Sequence, residues 1–95
     1  MLIEREEVAD LCMKNDISRL RLFGSAARNQ EAKGSDIDLI ADFSAPKSLI
    51  DLVRIERELS ERLGRKVDLL TEDALSPHIR EHALRDARVV YERAA

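Results

Sequence analysis

Apolar residues recur along this chain with two different periods, and the switches between them mark out its elements. Over residues 4–15, Val8, Leu11 and Cys12 fall at helical spacing behind early glutamates that suit a helix N-terminus, and Asn15–Asp16 ends the segment. Residues 18–23 (Ser-Arg-Leu-Arg-Leu-Phe) alternate polar and apolar and predict a strand. Gly24-Ser25 breaks it, Ala26–Gln30 predicts a short helical turn, and Lys33-Gly34-Ser35 a second turn. The run 36–43 is a further strand, with Ile37, Leu39 and Ala41 on one face and Asp36, Asp38, Ile40 and Asp42 on the other. Leu52, Ile55, Leu59 and Leu63 then trace a helix from about Ser48 to Leu63, which Gly64 caps. A third strand follows at 66–70, a helical turn after Thr71, and a helix from Ser76-Pro77 to Leu84 or Asp86. Val89–Tyr91 closes the chain as a short strand. The expected fold class is α/β: a small mixed sheet of three to four strands with helices packed on it, forming one domain over residues 1–95.

Composition narrows the function classes. Only three aromatics occur, so the core is built from Leu, Ile, Val and Ala. The 19 acidic residues outnumber 16 basic ones, for a net charge of −3, which argues against strong nucleic-acid binding by this chain alone. The single cysteine excludes an internal disulfide, and its place on the apolar stripe of the first helix reads as a small buried hydrophobe. The N-terminus turns charged at once, and no apolar run nears the ~20 residues that span a bilayer. These features predict a cytoplasmic protein without membrane association.

The densest chemistry lies in residues 24–38. Asp36 and Asp38, two apart on a strand, project from the same face with Cα atoms roughly 6.5–7 Å apart. Two carboxylates so placed can converge on hard divalent cations, and the Gly24-Ser25 loop can offer backbone N–H groups to phosphate oxygens. Nucleotidyl transfer needs both, because charge builds on the attacking, equatorial and leaving oxygens around the α-phosphorus. Mg²⁺ takes one or two carboxylates plus water and phosphate oxygens, and in two-metal sites a carboxylate bridges the ions. Asp68, mid-strand between Val67 and Leu69, is the best third acid, since a strand acid must face either a site or solvent.

A strand ending in Gly-Ser, an arginine three residues later, and Ser-Asp-x-Asp entering the next strand resemble the DNA polymerase β-type nucleotidyltransferase superfamily. The run Phe23-Gly-Ser-Ala-Ala-Arg…Ser35-Asp-Ile-Asp-Leu39 in so short a chain is most similar to its minimal nucleotidyltransferase group. Arg65–Leu70 matches the strand of the third carboxylate, and Val90-Tyr91-Glu92 the family's usual ending. The resemblance implies a polymerase β-like fold, ATP as substrate and two Mg²⁺ ions held by Asp36, Asp38 and Asp68, the same three acids being catalytic. It implies nucleotide contacts from Gly24 and Ser25, and a loop or phosphate contact from Arg28. Ser35, at the turn before the acids, is a further nucleotide-binding candidate, though it reads first as a turn cap. Asn29 departs from the family's frequent glycine, at a position where Asn tolerates a left-handed backbone.

Family members of this size are antitoxins encoded beside HEPN-domain ribonucleases. The resemblance implies transfer of AMP to a tyrosine of that toxin, and hence a HEPN partner. Two alternatives remain open: a binding-only antitoxin that occludes its partner, and a nucleotidyltransferase acting on RNA or a small molecule with a separate recognition subunit. Oligomeric state, homo- or hetero-, is open as well. Among residues outside the motif, His78 and His82 read as a surface pair, Tyr91 as a packed terminal aromatic, and the 54–66 charge run as a solvated helix face or a partner surface.

Overall fold

The computed structural model describes residues 3–23 and 37–93, apart from the side chains of Ile79, His82, Ala83 and Asp86. The expected turns at Ala26–Gln30 and Lys33–Ser35 lie outside the described residues. Helix α1 (Arg5–Lys14) carries Glu6 and Glu7 in its first turn, and the Glu7 carboxylate accepts a hydrogen bond from the Glu4 N–H at 3.0 Å. Its end is fixed by Asn15, whose backbone N–H and side-chain amide both donate to the Leu11 carbonyl. Asp16 then turns the chain through φ 60° into the sheet. In α2 (Leu49–Leu63), Ser48 and Asp51 exchange two hydrogen bonds of 3.1 Å in a reciprocal N-terminal cap. Gly64 ends that helix at φ 69°, a left-handed conformation that costs glycine nothing.

Four strands, β1 (Ile17–Phe23), β2 (Ile37–Phe43), β3 (Val67–Leu70) and β4 (Arg88–Glu92), form one mixed sheet in the order β3-β2-β1-β4. The β1–β2 and β1–β4 pairs are antiparallel; β2 and β3 are parallel, joined across α2. The closing strand expected at 89–91 is present as β4. A 3₁₀ turn at Glu72–Ala74 follows β3 and leads into α3 (Pro77–Asp86).

The alternation of each strand divides the sheet into two faces. Leu20, Leu22, Ile37, Leu39, Val67 and Leu69 turn to one side, where Val8, Leu11 and Cys12 of α1 and Ile55 and Leu59 of α2 complete the main core. Tyr91 is 1% exposed in this core, with the Arg5 guanidinium 5.0 Å from its ring centre. On the other side Phe23, Ile40 and Leu75 form a smaller cluster, with Leu70, Leu84 and Ala87 packed against it. That cover comes from α3 and the 3₁₀ turn, and the strand acids Asp38, Asp42 and Asp68 lie on this face.

Strand β3 lies at the sheet's edge, where unpaired N–H groups are a liability. Here α2 covers them: the Val67 N–H donates to Ser60 Oγ at 3.0 Å and the Leu69 N–H to Glu56 Oε2 at 2.8 Å. The charge run 54–66 is therefore not simply a solvated face. Glu56 turns inward to the strand, while Arg54 reaches Asn15 and Glu58, and Arg62 reaches Asp10.

Candidate active site

Backbone register decides the centre of the site. Asp38 of β2 stands directly opposite Asp68 of β3 in the parallel ladder, and opposite Phe23 of β1 on its other side. Neighbouring strands lie about 4.8 Å apart, and in-register residues of parallel strands share a face. The two carboxylates therefore project side by side, half-buried, from the face that α3 only partly covers. Phe23, the last residue of β1, stands opposite Asp38, so β1 ends next to the acid pair.

Like charges directly opposite one another on a sheet repel. Such a pair is suited to a bound cation, and its hard oxygen donors match Mg²⁺. The residues present thus fit the metal expected from the sequence. Among the described residues, no group of three His, Cys, Asp or Glu side chains is gathered to hold a metal. Asp36, the third acid of the expected set, lies outside the described residues, as do Gly24, Ser25, Arg28 and Ser35. Of the seven expected site residues, the structure places Asp38 and Asp68, and it brings those two together.

Comparison with known proteins accords with this geometry. Residues 6–95 match the family described as Polymerase beta, Nucleotidyltransferase. The chain belongs to that nucleotidyltransferase family. It is 39% identical over 83 residues to "Putative protein adenylyltransferase MJ0435" of Methanocaldococcus jannaschii, covering 87% of this chain and 89% of that one. It is 33% identical over 75 residues to "Protein adenylyltransferase MntA" of Thermococcus cleftensis, covering 79% and 74% respectively. Among solved structures, a "putative minimal nucleotidyltransferase" superposes with a TM-score of 0.76 at 39% identity, over 88% of this chain and 86% of that one. A toxin–antitoxin crystal structure with AMP-PNP superposes with a TM-score of 0.80, over 96% of this chain and 75% of that one. Its 18% identity makes it evidence for the fold alone. The nucleotidyltransferase fold expected from the sequence is the fold observed.

A second polar cluster occupies the same face of this nucleotidyltransferase, further along the strands. Asp42 Oδ2 accepts from Arg19 Nε at 2.7 Å and from Arg21 Nη2 at 3.3 Å, and Arg21 Nη2 also donates to Glu72 Oε2 at 3.3 Å. The Asp42 hydrogen bond raises the Arg19 guanidinium above its ordinary pKa. Asp42, on the acid face in sequence, is thus held in ion pairs about four residues, or ~13 Å, along the strand from Asp38. A cleft of about 360 Å³ opens at this end, lined by Asp42, Lys47, Thr71 and Glu72 among others. Its principal charges are engaged in ion pairs, Asp42 and Glu72 with the arginines and Lys47 with Asp16 at 3.0 Å. Alternation placed Asp42 on the right face; nothing in the sequence showed that two arginines across the sheet would engage it.

Other residues singled out in the sequence fall into structural roles. Cys12 is fully buried, and burial followed by the nearby Asp10 charge pushes its thiol up to about 12. The buried ring of Tyr91 is unsuited to self-modification. His78 is exposed on α3, and the His82 side chain lies outside the described residues. No helix among the described residues is long and apolar enough to cross a membrane.

Proposed function

We propose that the chain works as one minimal catalytic domain that transfers AMP from ATP to a tyrosine hydroxyl of a HEPN-type toxin and so silences it. The observation that carries the reading is the in-register pairing of Asp38 with Asp68 beside the end of β1 at Phe23. The names of its relatives as protein adenylyltransferases support the choice of AMP as the group moved and a protein as the acceptor. Solved neighbours that are complexes of an MNT antitoxin with a HEPN toxin support the choice of partner.

In this reading Asp36 and Asp38 hold Mg²⁺, Asp68 completes the set, and Gly24, Ser25, Arg28 and Ser35 bind the triphosphate. Bound Mg²⁺ supplies charge stabilisation at the α-phosphate and at the departing pyrophosphate. The acceptor oxygen attacks the α-phosphorus in line as the bond to the bridging oxygen of pyrophosphate breaks. Asp68, on the edge strand, orients the acceptor hydroxyl and takes up its proton.

The test is transfer of label from α-labelled ATP to a purified HEPN-type toxin, with growth rescue measured in parallel. Asp38→Asn and Asp68→Asn should each lower transfer at least about 100-fold, in line with the loss of one transition-state stabilising group. Undiminished transfer in either variant refutes the assignment of that acid. Lost transfer with growth rescue intact would identify a binding-only antitoxin instead.

A further inference from the structure

We propose that Glu56 and Ser60 of α2 are positioning residues for Asp68, acting from the opposite face of the sheet. The inference rests on the reading of Asp68 as a metal ligand, and it assigns a role that the charge run 54–66 did not suggest. Glu56 and Ser60 are four residues apart and so lie on one face of the helix. Ser60 Oγ accepts from the Val67 N–H at 3.0 Å, and Glu56 Oε2 accepts from the Leu69 N–H at 2.8 Å. Ser60 Oγ also donates to the Glu56 carbonyl at 2.8 Å, which ties the two anchors together.

These bonds secure the Lys66–Val67 and Asp68–Leu69 peptide units, which flank Asp68, on the side of β3 away from β2. That side is where an anchor is needed. Asp38 and Asp68 stand in register on neighbouring strands, so the seat of β3 sets how the two acids face each other. β2 is held between two neighbours, whereas β3 has four residues and a strand on one side only. The strand free to yield is therefore the one carrying Asp68, and the α2 anchors oppose that movement. A carboxylate acceptor makes the bond to Leu69 shorter and stronger than a neutral one would. Water could satisfy a bare strand edge; a helix side chain also fixes where the strand sits. Residues that orient metal ligands from behind typically change metal affinity 10–100-fold when lost.

The experiment uses the full chain, with Mn²⁺ alone as the probe, titrated by electron paramagnetic resonance, and amide hydrogen exchange at Leu69 followed by NMR. Glu56→Ala should speed exchange at Leu69 and weaken Mn²⁺ binding about 10-fold. Glu56→Gln keeps an acceptor oxygen and should bind Mn²⁺ within about threefold of the parent chain, on the same scale. Ser60→Ala, which removes the anchor at Val67, should weaken binding in the same direction and keeps the idea testable if Glu56→Ala does not fold. Parent-like Mn²⁺ affinity in Glu56→Ala or, should that variant not fold, in Ser60→Ala, with Asp68→Asn weakened, would overturn the positioning role and leave Asp68 a ligand. Parent-like affinity in Asp68→Asn would instead overturn the metal reading on which the inference rests.

Discussion

Replacing Arg21 with methionine removes a buried cation while keeping an unbranched stem of similar length. Arg21 is 9% exposed and joins β1 to both Asp42 of β2 and Glu72 beyond β3. Breaking a fully buried ion pair by deleting one partner costs about 3–5 kcal/mol. Three features lower that figure here. The Asp42 and Glu72 side chains are 27% and 36% exposed, so water screens the charges left behind. Asp42 keeps Arg19 at 2.7 Å. Arg21 Nε is buried without a hydrogen-bond partner among the described residues, a desolvation cost that methionine does not carry. The net destabilisation should be about 2 kcal/mol, equivalent to a fall in Tm of roughly 10 °C for a domain of this size. Urea unfolding followed by far-UV circular dichroism at pH 7 measures it, and most of the loss should persist at high salt because a buried cation is screened poorly. A double-mutant cycle with Glu72→Gln should return a coupling near 1 kcal/mol. An Arg21→Met chain as stable as the parent to within about 0.5 kcal/mol would refute the reasoning.

Gly64→Ala should cost about 1 kcal/mol, because its Cβ meets no atom within 4 Å and only the backbone at φ 69° resists; Gly64→Asn should cost less in the same unfolding assay. Cys12 should react with a thiol reagent at pH 8 only at the rate of unfolding. Because its folded pKa lies above its ordinary value of 9.0, its contribution to stability is complete below pH 9 and declines as pH rises towards 12, which alkaline urea titration of Cys12→Ala against the parent will show. Incubation with ATP and Mg²⁺ should leave Tyr91 unmodified by mass spectrometry, since the ring is buried in the main core; label on Tyr91 would contradict that packing.

Local signals carried most of the architecture. Helical spacing in Leu52–Leu63 and the Gly64 cap placed α2 to within a residue, because caps and periodicity are written in short stretches of chain. Alternation in 37–43 put Asp38 and Asp42 on one face before any partner strand was known. Their different fates were not legible, because alternation is blind to what lies across the ladder. Arg19 and Arg21 engage Asp42, while Asp38 faces another acid. Glu56 misled in the same way: a charged residue in a charged run looks solvated until the strand edge beside it is seen.

By itself the sequence determined the main helices and strands, the face that Asp38 and Asp42 share, and the family, since all of these depend on residues near one another in the chain. The tertiary structure decided which strand lies beside which. The parallel register of β2 with β3 sets Asp68 against Asp38, thirty residues away, and puts β3 at the edge where α2 must hold it. The reason is physical: register and edge position are set by the packing of the two faces and the strand order, which no local spacing encodes.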